Sequence, residues 1–396
     1  MMSDINTEHK EDIDTITQAT SQPAPKVKKK KGTKVVFYLM AIMLLCTTAM
    51  SGYMTYKMYI YSTKTADTSA TDNNDKNNSN SGFVVPDNYH LISDKDLEAQ
   101  RNESYYIGRD TLLDNIKTMA ESGKTTLRIL RTLYPEYLVY SESSGYIFKE
   151  INTGLVMHDY DASGFKMTLN DSSVPTNVEY YENDQLKSFT GIDVSKHNKT
   201  IDWAKVKNAG IDFAIIRAGN RGYGSEGKLL TDPLFEANAK GATENGIPIG
   251  AYMFSEAITV EEAIEEADLI LSMVEPYDIT YPIIIDIEEI AGDDARNEAL
   301  TPTQLTDVVL AFCNRVKEAG YTPMIYANLK GMIGMLEFER LEGIEKWYAY
   351  YGDELYFPYD VSMWQYTSSG YVDGIEGKVD LNISFKDYKK DNTTTD

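Results

Sequence analysis

Asp286 and Glu288 end an apolar, β-branched run, Tyr281-Pro-Ile-Ile-Ile-Asp-Ile-Glu-Glu289. Side chains alternate along a strand, so the two acids point the same way, with Cα atoms roughly 6.5–7 Å apart. Carboxylates at the end of a buried strand are costly unless they have partners or a task. Cleavage of a glycosidic bond is one such task, because a proton donor and a charge stabiliser must act on the same sugar. Asp193 closes Gly191-Ile-Asp-Val194, and Asp380 lies in Val379-Asp-Leu-Asn382. One acid at a strand end often only caps the next loop. Four at one mouth would repel and raise at least one pKa, which suits a general acid working near neutral pH. Glu289 falls on the opposite face of the strand and serves as an internal control.

These acids need elements to hold them. From residue 190 to 388, strand-like runs alternate with amphipathic helices. The runs are Gly191–Val194, Phe213–Ile216, Ile247–Phe254, Ile283–Ile285, Pro323–Tyr326, Trp347–Tyr350 and Ser362–Tyr366; the helices cover 203–209, 232–245, 260–274 and 302–319. Such alternation predicts parallel strands with helices outside. The α/β fold expected is an incomplete TIM-like β/α barrel of eight strands and about five helical crossovers. Between 345 and 385 the strands lie too close together for full helices. Reactive groups in such barrels collect at the C-terminal strand ends, where all four acids fall. The chain is rich in tyrosine, with 29, beside 3 tryptophans. Such rings suit clefts that hold sugars. Tyr252, Tyr326, Trp347, Tyr350 and Trp364 are the candidates for stacking on pyranose rings, with barrel packing as the competing role.

The rest of the chain changes texture several times. Residues 1–34 are polar and end in a lysine cluster; 35–56 carry no charge for about 22 residues, enough for one transmembrane helix. Lysines before the span place the N-terminus in the cytoplasm and the remainder outside. The alternative, a cleaved signal peptide, has a shorter apolar core. Residues 57–92 read as a flexible linker. Residues 93–188 read as a helix-plus-strand spacer domain: a helical pattern to 133, then short strands at Tyr137–Tyr140, Tyr146–Phe148, Leu155–Met157 and Phe165–Met167. This segment is either a stalk or a surface for membrane or secretion/transfer machinery. Residues 389–396 form a tail. A net charge of −23 excludes nucleic acid as a partner. The four histidines are scattered, the two cysteines build no disulfide framework, and no zinc-site spacing occurs; neither metal nor cofactor is expected.

Ordered motifs from Thr190-Gly-Ile-Asp-Val-Ser195 onward resemble the glycoside hydrolase family 25 lysozymes, the Chalaropsis-type N-acetylmuramidases. The likeness continues through Ile201-Asp-Trp203, Ala209-Gly-Ile-Asp-Phe-Ala-Ile-Ile-Arg-Ala-Gly219, Asp232-Pro-Leu-Phe-Glu-Ala-Asn238, Gly250-Ala-Tyr-Met-Phe254 and Asp286-Ile-Glu288. It ends with Trp347-Tyr-Ala-Tyr-Tyr351, Met363-Trp-Gln-Tyr366 and Val379-Asp-Leu-Asn382. The resemblance implies an incomplete β/α barrel that cleaves the β-1,4 bond between N-acetylmuramic acid and N-acetylglucosamine in peptidoglycan. Glu288 would protonate the leaving oxygen. Asp286 would hold the 2-acetamido group or stabilise charge at the anomeric carbon, and Asp193 and Asp380 would complete an acidic floor. Two departures fall at expected rim positions: Met253 where many members have His, and Asn198-Lys199 where many have Gln-Gly. A glycan-binding scaffold without activity, or a glycosidase on another acetamido sugar such as chitin, stay open at this level. The anchor and the acid set together point to wall remodelling outside the cytoplasmic membrane.

Overall fold

The computed structural model describes residues 92–170, 174–290 and 295–391. The tail 1–34, the apolar span 35–56, nearly all of the linker 57–92 and most of the tail 389–396 lie outside the described residues. Among the described residues no helix is long and apolar enough to cross a membrane. The chain divides between Leu112 and Leu113 into two compact units. Helix α1 (Asp94–Glu121) has no buried residue. The second unit carries α2 (Thr126–Leu133), strands β1 (Tyr137–Glu142), β2 (Gly145–Glu150), β3 (Phe165–Leu169), β4 (Pro175–Glu182) and β5 (Gln185–Leu186), and then the barrel.

The barrel opens with β6 (Phe189–Val194), α3 (Trp203–Asn208), β7 (Phe213–Arg221), β8 (Leu229–Thr231) and α4 (Phe235–Glu244). It continues through β9 (Ile249–Phe254), α5 (Val260–Val274), β10 (Ile279–Asp286), α6 (Pro302–Glu318) and β11 (Pro323–Asn328). β12 (Glu345–Ala349), β13 (Met363–Gly370) and β14 (Val379–Ser384) complete it, before α7 (Tyr388–Asp391). Around the wall the order is β6, β7, β9, β10, β11, β12, β13, β14 and back to β6. Parallel pairing runs from β6 to β13, and β14 is antiparallel to both its neighbours. β8 pairs outside this ring, on the far end of β7.

Local sequence explains the crossovers. Thr259 caps α5 and Thr301 caps α6, the latter in a capping box with Gln304. Each helix turns one apolar stripe inward: Ala263, Ala267, Ile270 and Val274 on α5; Leu305, Val309, Phe312 and Val316 on α6. Four α-helical crossovers form, where about five were expected. The connection from β11 to β12 is instead a π turn (Gly331–Met335) and a 3-10 turn (Phe338–Leu341). Gly331 and Gly334 disfavour an α-helix there, and a Cβ on Gly334 would lie 2.7 Å from the Tyr140 hydroxyl. Inside the barrel Phe213, Ile215, Tyr281, Ile284, Met324 and Met363 form a second core. A Cβ on Gly191 would fall 2.2 Å from the Phe213 ring, so only glycine lets that ring fill the barrel floor.

A spacer domain was expected over 93–188; of these residues, 113–188 fall in the barrel's own unit and 93–112 in the other. Residues from Leu113 onward belong to the barrel's own compact unit, and Leu138, Tyr140 and Val178 join its main apolar core. The physical reason is the bare flank. No helix separates β12 from β13, and Tyr348, Phe357, Tyr359, Trp364 and Tyr366 are buried there all the same. The earlier segment covers them. Tyr160 stacks on Phe385 at 4.1 Å and donates its hydroxyl proton to the Val361 carbonyl at 2.8 Å. Phe165 meets Trp364 edge-on at 5.9 Å. The Asn152 N–H donates to the Tyr359 hydroxyl at 2.8 Å. The strand expected at Leu155–Met157 is reduced to one bridge, Met157 with Tyr359, and β4 was not foreseen.

Candidate active site

β6, β10 and β14 bring Asp193, Asp286, Glu288 and Asp380 to one end of the barrel. Asp380 is the register partner of Asp193, and Asp286 pairs in register with Phe254 on β9 and Tyr326 on β11. Asp193 and Asp286 are buried, while Glu288 and Asp380 are half-buried. The Asp286 carboxyl is hydrogen-bonded to Glu288, and its Oδ1 is buried with no hydrogen-bond partner among the described residues. Burial, then the charges of Glu288 and Asp193, push Asp286 well above the usual carboxylate range, against an opposing pull from Arg217. Burial, Asp193 and Glu288 do the same to Asp380. Both carboxyls therefore hold their protons to higher pH than isolated ones would. Glu289 is exposed and pairs with Lys330 at 2.5 Å, away from the others.

Asp193 is fastened by two amides. Its Oδ2 accepts from Gln365 Nε2 and from Asn382 Nδ2, each at 2.8 Å. Those amides are oriented in turn. The Trp347 indole N–H donates to Asn382 Oδ1 at 2.8 Å. The hydroxyls of Tyr326 and Tyr351 donate to Gln365 Oε1 at 2.8 and 2.7 Å. A buried network with every member satisfied fixes one geometry.

This network reassigns the aromatic candidates. Trp347 and Tyr326 are buried, with only 2% and 4% of their surfaces exposed, so they orient amides beneath the floor and offer no face to a sugar. Tyr252 is half-buried on the inner face and meets Trp347 edge-on at 6.4 Å; it remains a floor residue. Tyr350 and Trp364 point to the outer side of the wall. The Tyr350 hydroxyl accepts from Arg131, and the Trp364 indole donates to the Tyr350 carbonyl. The reason is the period-2 alternation of β13: Gln365 faces the site, so Trp364 cannot. The rim positions also move. Met253 is buried in the outer core. Asn198 is buried, accepting the Ser195 N–H at 2.9 Å and donating to the Lys378 carbonyl.

Several site residues were not singled out from sequence. Arg217 grips Asp232, with Nε and Nη2 each 2.8 Å from Oδ2, at the mouth end of β7. Asp232 also accepts from the N–H groups of Lys196 and Leu234. Gln365, Asn382 and Tyr351 lay inside quoted motifs. Asn382 is two residues beyond Asp380 and so on its face, a signal that alternation alone carries. Tyr223 sits half-exposed at the rim, edge-on to Phe254 at 6.4 Å. Past Glu288, the chain is anchored where Glu256 accepts the N–H of Arg296 at 2.6 Å and Arg296 pairs with Glu262 at 2.7 Å.

Known proteins share this arrangement of sequence. The model of the glycosyl hydrolases family 25 matches residues 192–375. The uncharacterized protein YegX of Escherichia coli K12 is 30% identical over 233 residues, covering 52% of this chain and 76% of that one. Lysozyme M1 of Streptomyces globisporus is 30% identical over 211 residues, covering 48% of this chain and 66% of the other. Among solved structures, the bacterial lysozyme from Streptomyces coelicolor is 26% identical, covering 49% of this chain and 90% of that one, with a TM-score of 0.40. With residues 192–375 matched by the family model and its acids gathered at the mouth of an α/β barrel, the chain belongs to glycosyl hydrolase family 25 and is a glycoside hydrolase.

Proposed function

We propose that this enzyme is a peptidoglycan muramidase, cutting the β-1,4 bond between N-acetylmuramic acid and N-acetylglucosamine. The observation that carries the reading is the carboxyl pair Asp286–Glu288, buried unequally and sharing a hydrogen bond. Two interacting carboxyls of this kind titrate together, so the pair keeps a proton where single acids would not. Glu288, the more accessible, gives that proton to the leaving glycosidic oxygen. Asp286, fixed below it, then faces the positive charge that grows at the anomeric carbon or aligns the 2-acetamido group. Asp193, held by Gln365 and Asn382, supplies further negative potential, and Asp380 lies beside it as a carboxyl whose pKa is raised by burial and by its acidic neighbours. Tyr252 forms part of the floor on which the sugar rests. The name of the related lysozyme supports the same substrate.

The enzyme works outside the cytoplasmic membrane, tethered by residues 35–56. This part of the reading is supported by the uncharged run and its preceding lysines alone. Wall remodelling next to the membrane, including the opening of a path for a secretion or transfer machine, suits such a tether. Within 93–188, Leu138, Tyr140, Tyr160, Phe165 and Val178 are taken up by packing on the barrel, so a partner surface would be built from the other residues.

The test is digestion of purified peptidoglycan by the full-length protein, with products read by mass spectrometry. New muramic acid reducing ends are expected, and Glu288→Gln should lower the rate by about 100-fold or more, the usual weight of a general acid. Release of N-acetylglucosamine reducing ends, turnover of chitin alone, or glycan binding without turnover would each overturn it. For the tether, the protein should sediment with membranes and be released by removal of residues 1–56. Recovery of the intact protein in the medium would refute that part.

A further inference from the structure

The connection between β12 and β13, residues 350–362, lies where a β/α barrel would normally carry a helix. Here it is held by the segment before the barrel, outside the family-matched residues. Arg128 on α2 pairs with Asp353. The Tyr356 hydroxyl accepts the Val139 N–H at 3.1 Å. Arg131 reaches furthest: its Nη1 donates to the Tyr350 hydroxyl at 2.8 Å, its Nε donates to the Val139 carbonyl at 2.9 Å, and its guanidinium lies 4.0 Å from the centre of the Tyr356 ring. A stacked, doubly bonded guanidinium is a rigid anchor.

Tyr350 is next to Tyr351, and the two side chains diverge. Tyr350 points outward to Arg131, whereas the Tyr351 hydroxyl donates to Gln365, which holds Asp193. The backbone between them is pinned: the Tyr350 N–H donates to the Gln365 carbonyl at 3.0 Å, and its carbonyl accepts the Trp364 indole N–H at 2.8 Å. The Tyr350 ring also lies so close to residue 352 that a Cβ there would be 2.4 Å away. Tyr350 and Tyr351 thus share a backbone held from two sides, with one side chain set against Arg131 and the next against Gln365.

We propose that Arg131, outside the barrel, is a positioning residue for the active site: by holding Tyr350 it sets Tyr351 against Gln365 and so fixes the Asp193 carboxylate. The proposal deepens the muramidase reading, on which only its kinetic test rests. Arg131→Met should lower kcat about tenfold, the effect of losing one hydrogen bond of a charged group, with KM changed less than about twofold, as expected for a group that acts on the reacting geometry rather than on binding. Tyr351→Phe should do the same, and the double variant should be no slower than the worse single one, because both act through one chain of contacts. Arg131→Lys should recover part of the rate. A purely structural Arg131 predicts a lower melting temperature with kcat unchanged below it, or losses that multiply in the double variant; either result overturns the proposal.

A second readout needs no turnover. The chain has three tryptophans, Trp203, Trp347 and Trp364. In Arg131→Met, the indole N–H resonances of Trp364 and Trp347 should both shift, with that of Trp203 unmoved. Movement of Trp364 alone would show that the effect stops at Tyr350 and would overturn the proposal even if the enzyme cut no peptidoglycan. Should Arg131→Met fail to fold, Tyr350→Phe deletes only the accepting hydroxyl; the same rate and resonance changes are expected of it, and their absence would overturn the proposal equally.

Discussion

Asp193 and Asp380 stand directly opposite each other on adjoining antiparallel strands, β6 and β14. Like charges in that relation destabilise a sheet. The arrangement persists because the two residues are treated differently. Asp193 receives two amide donors, while Asp380 is held well above the usual carboxylate range by burial and by its acidic neighbours. The pair thus carries less charge than two carboxylates would, and its field is concentrated at the site's floor.

The amide support can be tested at Asn382. Asn382→Leu removes one donor from Asp193 and strands the Trp347 indole N–H. Hydrogen bonds of charged groups are worth about 1.5–3 kcal/mol, and an unsatisfied buried donor costs about 1–3 kcal/mol. The variant should unfold at lower denaturant concentration and lose at least about tenfold in kcat. Chemical denaturation and peptidoglycan turnover measure both. Asn382→Leu with wild-type turnover would remove Asp193 from the mechanism.

Asp286 links activity to pH-dependent stability. Its folded pKa is raised by burial first and by Glu288 next. At a pH below about 3.9, the unfolded value, the carboxyl is protonated in both states and costs nothing. As pH rises, the unfolded chain releases the proton while the folded Asp286–Glu288 pair keeps one between its two carboxyls, so stability falls until the pair titrates. Asp286→Asn removes this loss. The variant should be inactive, about as stable as wild type near pH 3.5, and more stable at pH 7. Glu266, raised to about 7 by burial, adds a similar slope to both proteins and cancels in the difference. Calorimetry of the pair across pH 3.5–8 provides the comparison; equal melting temperatures throughout would contradict it.

Much of this arrangement was legible in the sequence, and the reasons differ by residue. The acids could be placed because strand alternation is fixed and barrel strands end at one mouth; Asp286 and Glu288 fell where the spacing put them. Trp364 and Tyr350 misled because composition says that aromatics suit sugars but says nothing about which side of a wall is bare. That depends on the missing helix between β12 and β13, and on residues some 200 positions earlier that fill its place. Arg217 was passed over because a cation at a strand end has many uses; only the fold shows that its partner is Asp232 and its neighbour Asp286.

Glu289 offers a specific control. It is adjacent to Glu288 in sequence, yet it is exposed and pairs with Lys330. Exposed ion pairs contribute about 0–1 kcal/mol. Glu289→Gln should keep turnover within about twofold of wild type and leave the melting temperature nearly unchanged. A loss comparable to that of Glu288→Gln would mean that the proton donor has been misassigned.

The barrel should not survive alone. A fragment beginning at residue 187 contains every family-matched residue, but it lacks α2 and β1–β5. The aromatic flank formed by Tyr348, Phe357, Tyr359, Trp364 and Tyr366 would then face water. All of these side chains are buried in the intact chain, and two hydroxyls there, on Tyr356 and Tyr359, would lose backbone donors at Val139 and Asn152. An apolar patch of this kind drives association. The fragment should be recovered insoluble or aggregated, whereas a chain beginning at residue 113 should be soluble and active on peptidoglycan. Size-exclusion chromatography of the two, followed by turnover, separates the outcomes: a monomeric, fully active fragment from residue 187 would show that the preceding segment is an accessory and not part of the barrel's wall.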